Sequence, residues 1–313
     1  MSQKIDLSGV YQFWELFKVM DEGEEPSDER WDSLFKTPGY KILTEVEFSK
    51  EFLKKVFRKA FLGEVGETGL ENMMIEHLSD VRSDREELNK FLSEVIDGGL
   101  YDEAVDKALE WLPFDEVEYY PQVSFLFFQK DARGYVPIVF DLKLAYSLGD
   151  DLPLLLGHEM HHFYRNMEVS FDPGIEDRDL VWTLNQIHME GMADQINKEL
   201  IFGDDPVFGE EFQRRYLKNY DEAEKYISKL DKWMTEYTSD TGEEIKDGLP
   251  MSGHPVGFFM VEKVIENGGK EELVENYADP FYFFELYSDL VEGEFSFSEK
   301  SLELVRKLGR KYL

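Results

Sequence analysis

The chain has no cysteine among its 313 residues. Neither a disulfide framework nor thiolate metal ligation is therefore available, and stability has to come from packing. Basic residues are scarce: 34 Lys and Arg stand against 67 Asp and Glu, a formal net charge of −33. Nucleic acid and anionic membrane repel a chain of that sign, so neither is expected as a partner. Solubility is the plain consequence of the surplus, although a salt-adapted host or a preference for basic substrates gives the same composition. No apolar run approaches the length of a membrane span. The opening Met1 to Asp6 lacks the basic start, apolar core and small-residue cleavage site of a signal peptide, which points to a cytoplasmic protein. Histidine is rare too, with six residues, of which His158, His161 and His162 fall within five consecutive positions.

What is abundant is apolar and aromatic. The 25 Phe, 16 Tyr and 5 Trp supply a sizeable core and argue against disorder. From Ser8 to about Gly99 the apolar spacing is helical: Val10, Phe13, Trp14, Phe17 and Met20 mark one amphipathic helix, Phe48 to Phe61 a second and Asp84 to Ile96 a third. His77 has no metal-ligating neighbour in sequence and reads as structural. Val123 to Phe128 and Gly134 to Phe140 are β-rich runs joined by Gln129 to Arg133, the pattern of a hairpin. Pro137 cannot donate to a ladder, which makes the second run an expected edge strand. Phe208 to Tyr237 reads as one or two charged helices, an excursion over the cleft, and Thr238 to Leu249 as a surface loop. The fold expected is α+β and predominantly α-helical, with a small β-hairpin or sheet before the central helix. No repeat or low-complexity linker divides the chain. It reads as one unit, residues 1–313, in which residues 1–115 are helical, 116–203 hold the strands and two central helices, and 204–313 are helical again.

The stretch that carries chemistry is Leu154 to Arg165, in which His158-Glu159-Met160-His161-His162 spells H-E-x-x-H. Positions i and i+4 of an α-helix share a face, so two imidazoles there can hold one metal ion. A helix is expected: Asp150 or Asp151 suits the N-cap, Pro153 the first turn, and Leu156, Met160, Phe163 and Met167 form an apolar stripe. His161 also faces His158 at i+3, but the motif selects His162 and leaves His161 as a flanking residue. A catalytic zinc takes three protein ligands and keeps a fourth place for water. The best supplier of the third is a second helix-period run, Val181 to Asp194, preceded by the cap candidates Asp177 and Asp179. Its Glu190 and Asp194 are again four apart, so one can bind the metal while the other steadies a ligand histidine. Gly191 would let the two helices approach closely. The bland alternative makes Glu190 a solvated helix glutamate, and His188 reads as structural.

With these residues the chain resembles the gluzincin metallopeptidases, in which H-E-x-x-H on one helix is completed by a glutamate on a later one, often as E-x-x-x-D. The resemblance implies a zincin-like fold, His158, His162 and Glu190 as zinc ligands, Glu159 as general base and Asp194 behind a ligand histidine. More loosely, Asp131 to Tyr135, the two helices and Gly253-His254-Pro255-Val256-Gly257 are similar to bacterial families of uncharacterised zinc-dependent peptidases. Gluzincins commonly supply a histidine or tyrosine for the oxyanion after the glutamate ligand. His254 lies in that order beside Pro255, with Tyr277 and Tyr282 as alternatives. Peptidases of this type also hold an extended substrate along an exposed strand edge, which implies backbone contact near Arg133, Gly134 and Tyr135; an ordinary structural hairpin is the competing reading.

The expected activity is zinc-dependent hydrolysis of peptides or unfolded protein segments. Zn²⁺ supplies an activated water and a polarised carbonyl, and Glu159 takes the water proton and passes it to the leaving amine. A zinc hydrolase of another amide or ester carries the same motif, and a non-catalytic zinc-stabilised binding protein is the rival from another class.

Overall fold

The computed structural model describes residues 4–97, 99–169, 171, 173–204, 206–238, 241–291, 293 and 295–313. It is predominantly helical with one small sheet, an α+β fold, and falls into two compact units. No helix among the described residues is long and apolar enough to cross a membrane.

Unit 1 comprises Met1–Val105 and Val117–Phe163. In chain order it contains β1 (Ile5–Asp6), α1 (Ser8–Asp21), α2 (Asp28–Phe35), α3 (Pro38–Val46), α4 (Lys50–Leu62), α5 (Gly69–Ser83) and α6 (Arg85–Asp97). α7 (Leu100–Leu109) crosses its boundary, and β2 (Val123–Leu126), β3 (Ala132–Arg133), β4 (Ile138–Asp141) and α8 (Leu142–Leu148) lead to α9 (Leu152–Glu168). The three helices expected near the start are α1, α4 and α6. The helices α2, α3 and α5 between them escaped the periodicity: α2 and α3 are two turns each, too short for a clean stripe, and the 15-residue α5 has apolar residues at Met73, Met74, Ile75, Leu78 and Val81 that run partly in sequence.

The two β-rich runs do not form a hairpin. β2 and β4 pair in parallel, Val123 opposite Ile138, and β3, from the segment expected to be the connecting loop, pairs antiparallel with β4. The sheet order is β1-β2-β4-β3, so β4 is internal and the two-residue strands β1 and β3 are the edges. Pro137 sits just before the ladder begins at Ile138 and costs no hydrogen bond there. Parallel neighbours fit the composition: all four residues of β2 and of β4 are buried, and strands covered on both faces read as continuous apolar runs.

The aromatics of α1 form the core under this sheet. Phe13 stacks on Phe17 at 4.3 Å between ring centroids and lies 4.8 Å from Phe127, while the Tyr40 hydroxyl donates to the Phe127 carbonyl at 2.5 Å. Gly39 brings α3 onto β2, since a Cβ there would stand 2.4 Å from the Leu126 side chain. His77 is structural, as its isolation suggested. Its Nε2 lies 2.9 Å from Asp141 Oδ2, and Asp141 also accepts from the backbone of Phe128 and caps α8 through Leu144 N–H.

At the start of α5, Glu71 is a carboxylate held by several donors. It accepts from Glu67 N–H at 2.8 Å and from Lys55 Nζ at 2.8 Å, with Lys59 Nζ at 3.5 Å, and these bonds lower its pKa to about 2. A depressed carboxylate stabilises the fold above its unfolded value and loses that contribution as the pH falls through the folded one. Glu71→Gln is therefore expected to be less stable than wild type at pH 7. The gap should shrink as the pH is lowered from about 4.5 to about 2, as read from urea midpoints across that range. A gap independent of pH would show that the charge of Glu71 contributes nothing.

Unit 2 comprises Asp106–Glu116 and Tyr164–Leu313. Its helices are α10 (Arg178–Ala193), α11 (Lys198–Phe202), α12 (Glu210–Asp221), α13 (Ala223–Thr235), α14 (Gly242–Gly248), α15 (His254–Glu266), α16 (Lys270–Glu275), α17 (Pro280–Leu290) and α18 (Glu299–Tyr312). α15 is central, packed against α10, α12, α13 and α17. The segment expected to be a surface loop, 238–249, contains α14, which packs on α10; residues 239 and 240 lie outside the described ones. Its polar composition hid a helix whose glycines do the packing: a Cβ on Gly248 would meet the Trp233 ring at 2.2 Å. The charged helices α12 and α13 lay apolar residues on α15 and α18, with Tyr216, Ile227 and Leu230 buried.

Candidate metal centre

α9 follows a short 3-10 turn at Gly149–Asp151 and carries Pro153 in its first turn, where the missing N–H has no intrahelical acceptor to lose. Leu156, Met160 and Phe163 are buried as the spacing implies, whereas Met167, the last of the expected stripe, is 58% exposed. One turn of this helix aligns His158 and His162. Their Nε2 atoms face each other at 2.9 Å, with ring planes at 83°. Glu159 and His161 are buried beside them.

Gly134, which follows β3, runs against this turn. A Cβ on it would lie 3.0 Å from the His162 Cβ and 3.2 Å from Glu159 Oε2, so the absence of a side chain lets the strand edge pass next to the carboxylate. Arg133, one residue earlier, is tied away from that turn by Glu47, which accepts from Nε at 3.0 Å and from Nη2 at 2.9 Å.

α10 begins after Asp177, but the Asp177 carboxylate does not cap it. It accepts instead from Lys311 at 2.8 Å and Tyr312 at 2.7 Å, which fastens the C-terminal helix. Farther along, Glu190 is only 6% exposed, so the reading of a solvated helix glutamate is excluded. Gln186, one turn earlier, donates to Glu190 Oε1 at 3.3 Å. Gly191 makes a close crossing as expected, but with α15. A Cβ on Gly191 would lie 2.4 Å from the Gly257 carbonyl carbon, and one on Gly257 would lie 2.0 Å from Ile187 O. Only two glycines face to face permit that separation.

This crossing brings the first residue of α15 against α10. His254 Nδ1 lies 3.1 Å from Asp194 Oδ2, and His254 Nε2 lies 3.5 Å from Glu190 Oε2. The turn that delivers it is strained: Met251 (φ 48°) and Ser252 (φ 54°) both sit in the left-handed region before Gly253 (φ 93°). Asp194 Oδ2 also accepts from the Tyr216 hydroxyl at 2.7 Å. Burial first, then the Asp194 charge, holds the Tyr216 phenol well above its ordinary pKa.

Three residues past His162, Arg165 is wholly buried. It donates from Nε to the Tyr277 carbonyl at 2.9 Å and lies 3.3 Å from His188 Nδ1, whose ring stacks on Phe283. Burial lowers its pKa to about 10, against the opposing pull of the Glu190 charge, so the guanidinium stays charged at neutral pH. His188 is thus structural, as expected. Of the tyrosines considered beside His254, the Tyr282 hydroxyl is engaged, donating to Glu272. Gln186, Arg165 and Tyr216 were not anticipated. Helical spacing from Glu190 and His162 signals the first two, whereas no local pattern marks Tyr216.

One ligand atom from each of His158, His162 and Glu190 lies within 4.8 Å of the other two, and all three residues are buried. Zinc–nitrogen bonds of about 2.0–2.1 Å in tetrahedral geometry set two nitrogens about 3.3 Å apart, close to the separation of the two Nε2 atoms. Two imidazoles and one carboxylate are also the donor types that zinc takes when a coordination place is kept for water. The residues fit the ion.

No curated protein and no solved structure matches the chain. A family model matches residues 31–294, which include every residue of the cluster. The chain belongs to the family described as "Putative zinc dependent peptidase (DUF5700)".

Proposed function

We propose that the chain is a metallopeptidase of gluzincin type and zincin-like fold, in which His158, His162 and Glu190 hold Zn²⁺ and Glu159 is the general base. A zinc-dependent peptidase family implies a peptide or protein substrate, and zinc is its metal. The observation that carries the finer reading is the mutual approach of the three donors, with the Nε2 atoms of both histidines turned to one point. When bound, zinc supplies a water of pKa near 7 and polarises the scissile carbonyl.

The chain's own groups do the rest. Glu159, adjacent to His158 and buried, accepts the proton of the attacking water and returns it to the leaving amine. Glu190 lowers the net charge of the metal site, which leaves more of the water activation to Glu159. His254 donates to the developing oxyanion, and its attachment to Asp194 and the strained turn before it fix where its ring stands. Extended substrate pairs with β3, one edge of the sheet, and passes Gly134 on its way to Glu159.

Metal analysis of purified protein coupled to a chelator-sensitive assay on a mixed peptide library tests this reading. One zinc per chain and cleavage that stops on chelation and returns with zinc are expected. Protein that binds zinc, melts earlier when stripped of it and cleaves nothing would be a zinc-stabilised binding protein instead.

A further inference from the structure

The charged helix α12 has a task that its sequence does not advertise. It delivers Tyr216, 1% exposed, whose ring is packed among Ile201 and Phe258. With the ring held, the hydroxyl has one direction, and it donates to Asp194 Oδ2 at 2.7 Å. The same oxygen receives His254 Nδ1 at 3.1 Å. A carboxylate only accepts, so the His254 Nδ1 facing it carries a proton, and Nε2, on the Glu190 side, is a donor to an oxyanion only in the doubly protonated ring.

The geometry points to Tyr216 as a positioning residue: by locking the rotation of the Asp194 carboxylate it fixes which ring nitrogen of His254 is anchored and which faces the metal ligand. This rests on the proposed role of His254 only for its consequence in catalysis; the anchoring itself stands on the hydrogen bonds. α12 is thereby a structural support of the site, acting through α10 and α15, and not a cover.

Tyr216→Phe removes one oxygen and keeps the ring, so the fold is retained. In ¹⁵N-labelled protein, with and without zinc, the His254 Nδ1–H signal is expected to be protected from solvent exchange in the wild type. In Tyr216→Phe it should exchange at least several-fold faster, and Asp194→Asn should show the same change. Zinc stoichiometry should remain one per chain, and kcat should fall roughly 10-fold at nearly unchanged KM. In a His254→Ala background Tyr216→Phe should add almost nothing, because both changes remove one device. An unaltered Nδ1–H signal in Tyr216→Phe would overturn the assignment, and so would losses that multiply in the double variant. Should the wild type cleave no peptide, the peptidase reading fails alone and the nitrogen signal still decides the role of Tyr216.

Discussion

Glu159→Gln is expected to keep zinc at one per chain and to lose turnover by about 10²–10⁴-fold. The substitution is close to isosteric, so the packing of α9 around it is preserved, and Glu159 is not one of the three donors brought together. What disappears is basicity. An amide cannot take a proton from the attacking water or hand one to the leaving amine, and no other carboxylate occupies the turn between the two histidines. Because a site with an anionic ligand activates its water less than one with three neutral ligands, the loss should sit near the upper end of that range. The measurement is kcat on a cleaved peptide next to metal content by emission spectrometry. Turnover within a factor of about three of wild type, with zinc bound, would remove Glu159 from the mechanism.

Gly257→Ala is expected to destabilise the protein by about 3 kcal/mol, seen as a fall in Tm of roughly 5–10 °C. The added Cβ would lie 2.0 Å from Ile187 O and 2.9 Å from the carbon bearing it. A carbonyl inside a helix cannot swing aside without breaking its own hydrogen bond, so α10 and α15 have to separate. Gly191→Ala should behave alike, since its Cβ meets Gly257 backbone at 2.4 Å. The crossing carries Glu190 next to Gly191 and His254 three residues before Gly257, so the separation should also lengthen the approach of His254 to Glu190 and Asp194. Zinc affinity below wild type in protein still folded at low temperature is the accompanying expectation. An unchanged melting curve for both variants would mean that the helices do not meet as described.

The sheet shows how close a local reading comes and where it stops. β-rich composition located β2 and β4 to within a few residues, because burial on both faces leaves a dense apolar run. It did not show which strand lies beside which. Two runs separated by a short polar segment satisfy a hairpin as well as a parallel pair with an intervening edge strand, and only packing against α1 and α3 separates the two. The same limit hid α14, where polar residues and glycines follow no apolar stripe yet the backbone lies close to Trp233.

The amino-acid order alone determined the chemistry on offer: paired imidazoles on one helical face with a carboxylate between them, no thiols, and a large surplus of acidic residues. Helical periodicity is a short-range law, so residues three or four apart can be placed on one side without knowing anything else. Tertiary structure alone decided that Glu190 is buried and close to both imidazoles, that Gly191 meets Gly257, and that Tyr216 reaches Asp194. Those approaches join residues tens of positions apart in the chain, and they are settled by which side chains fill the space between helices, a many-body condition that no local spacing records.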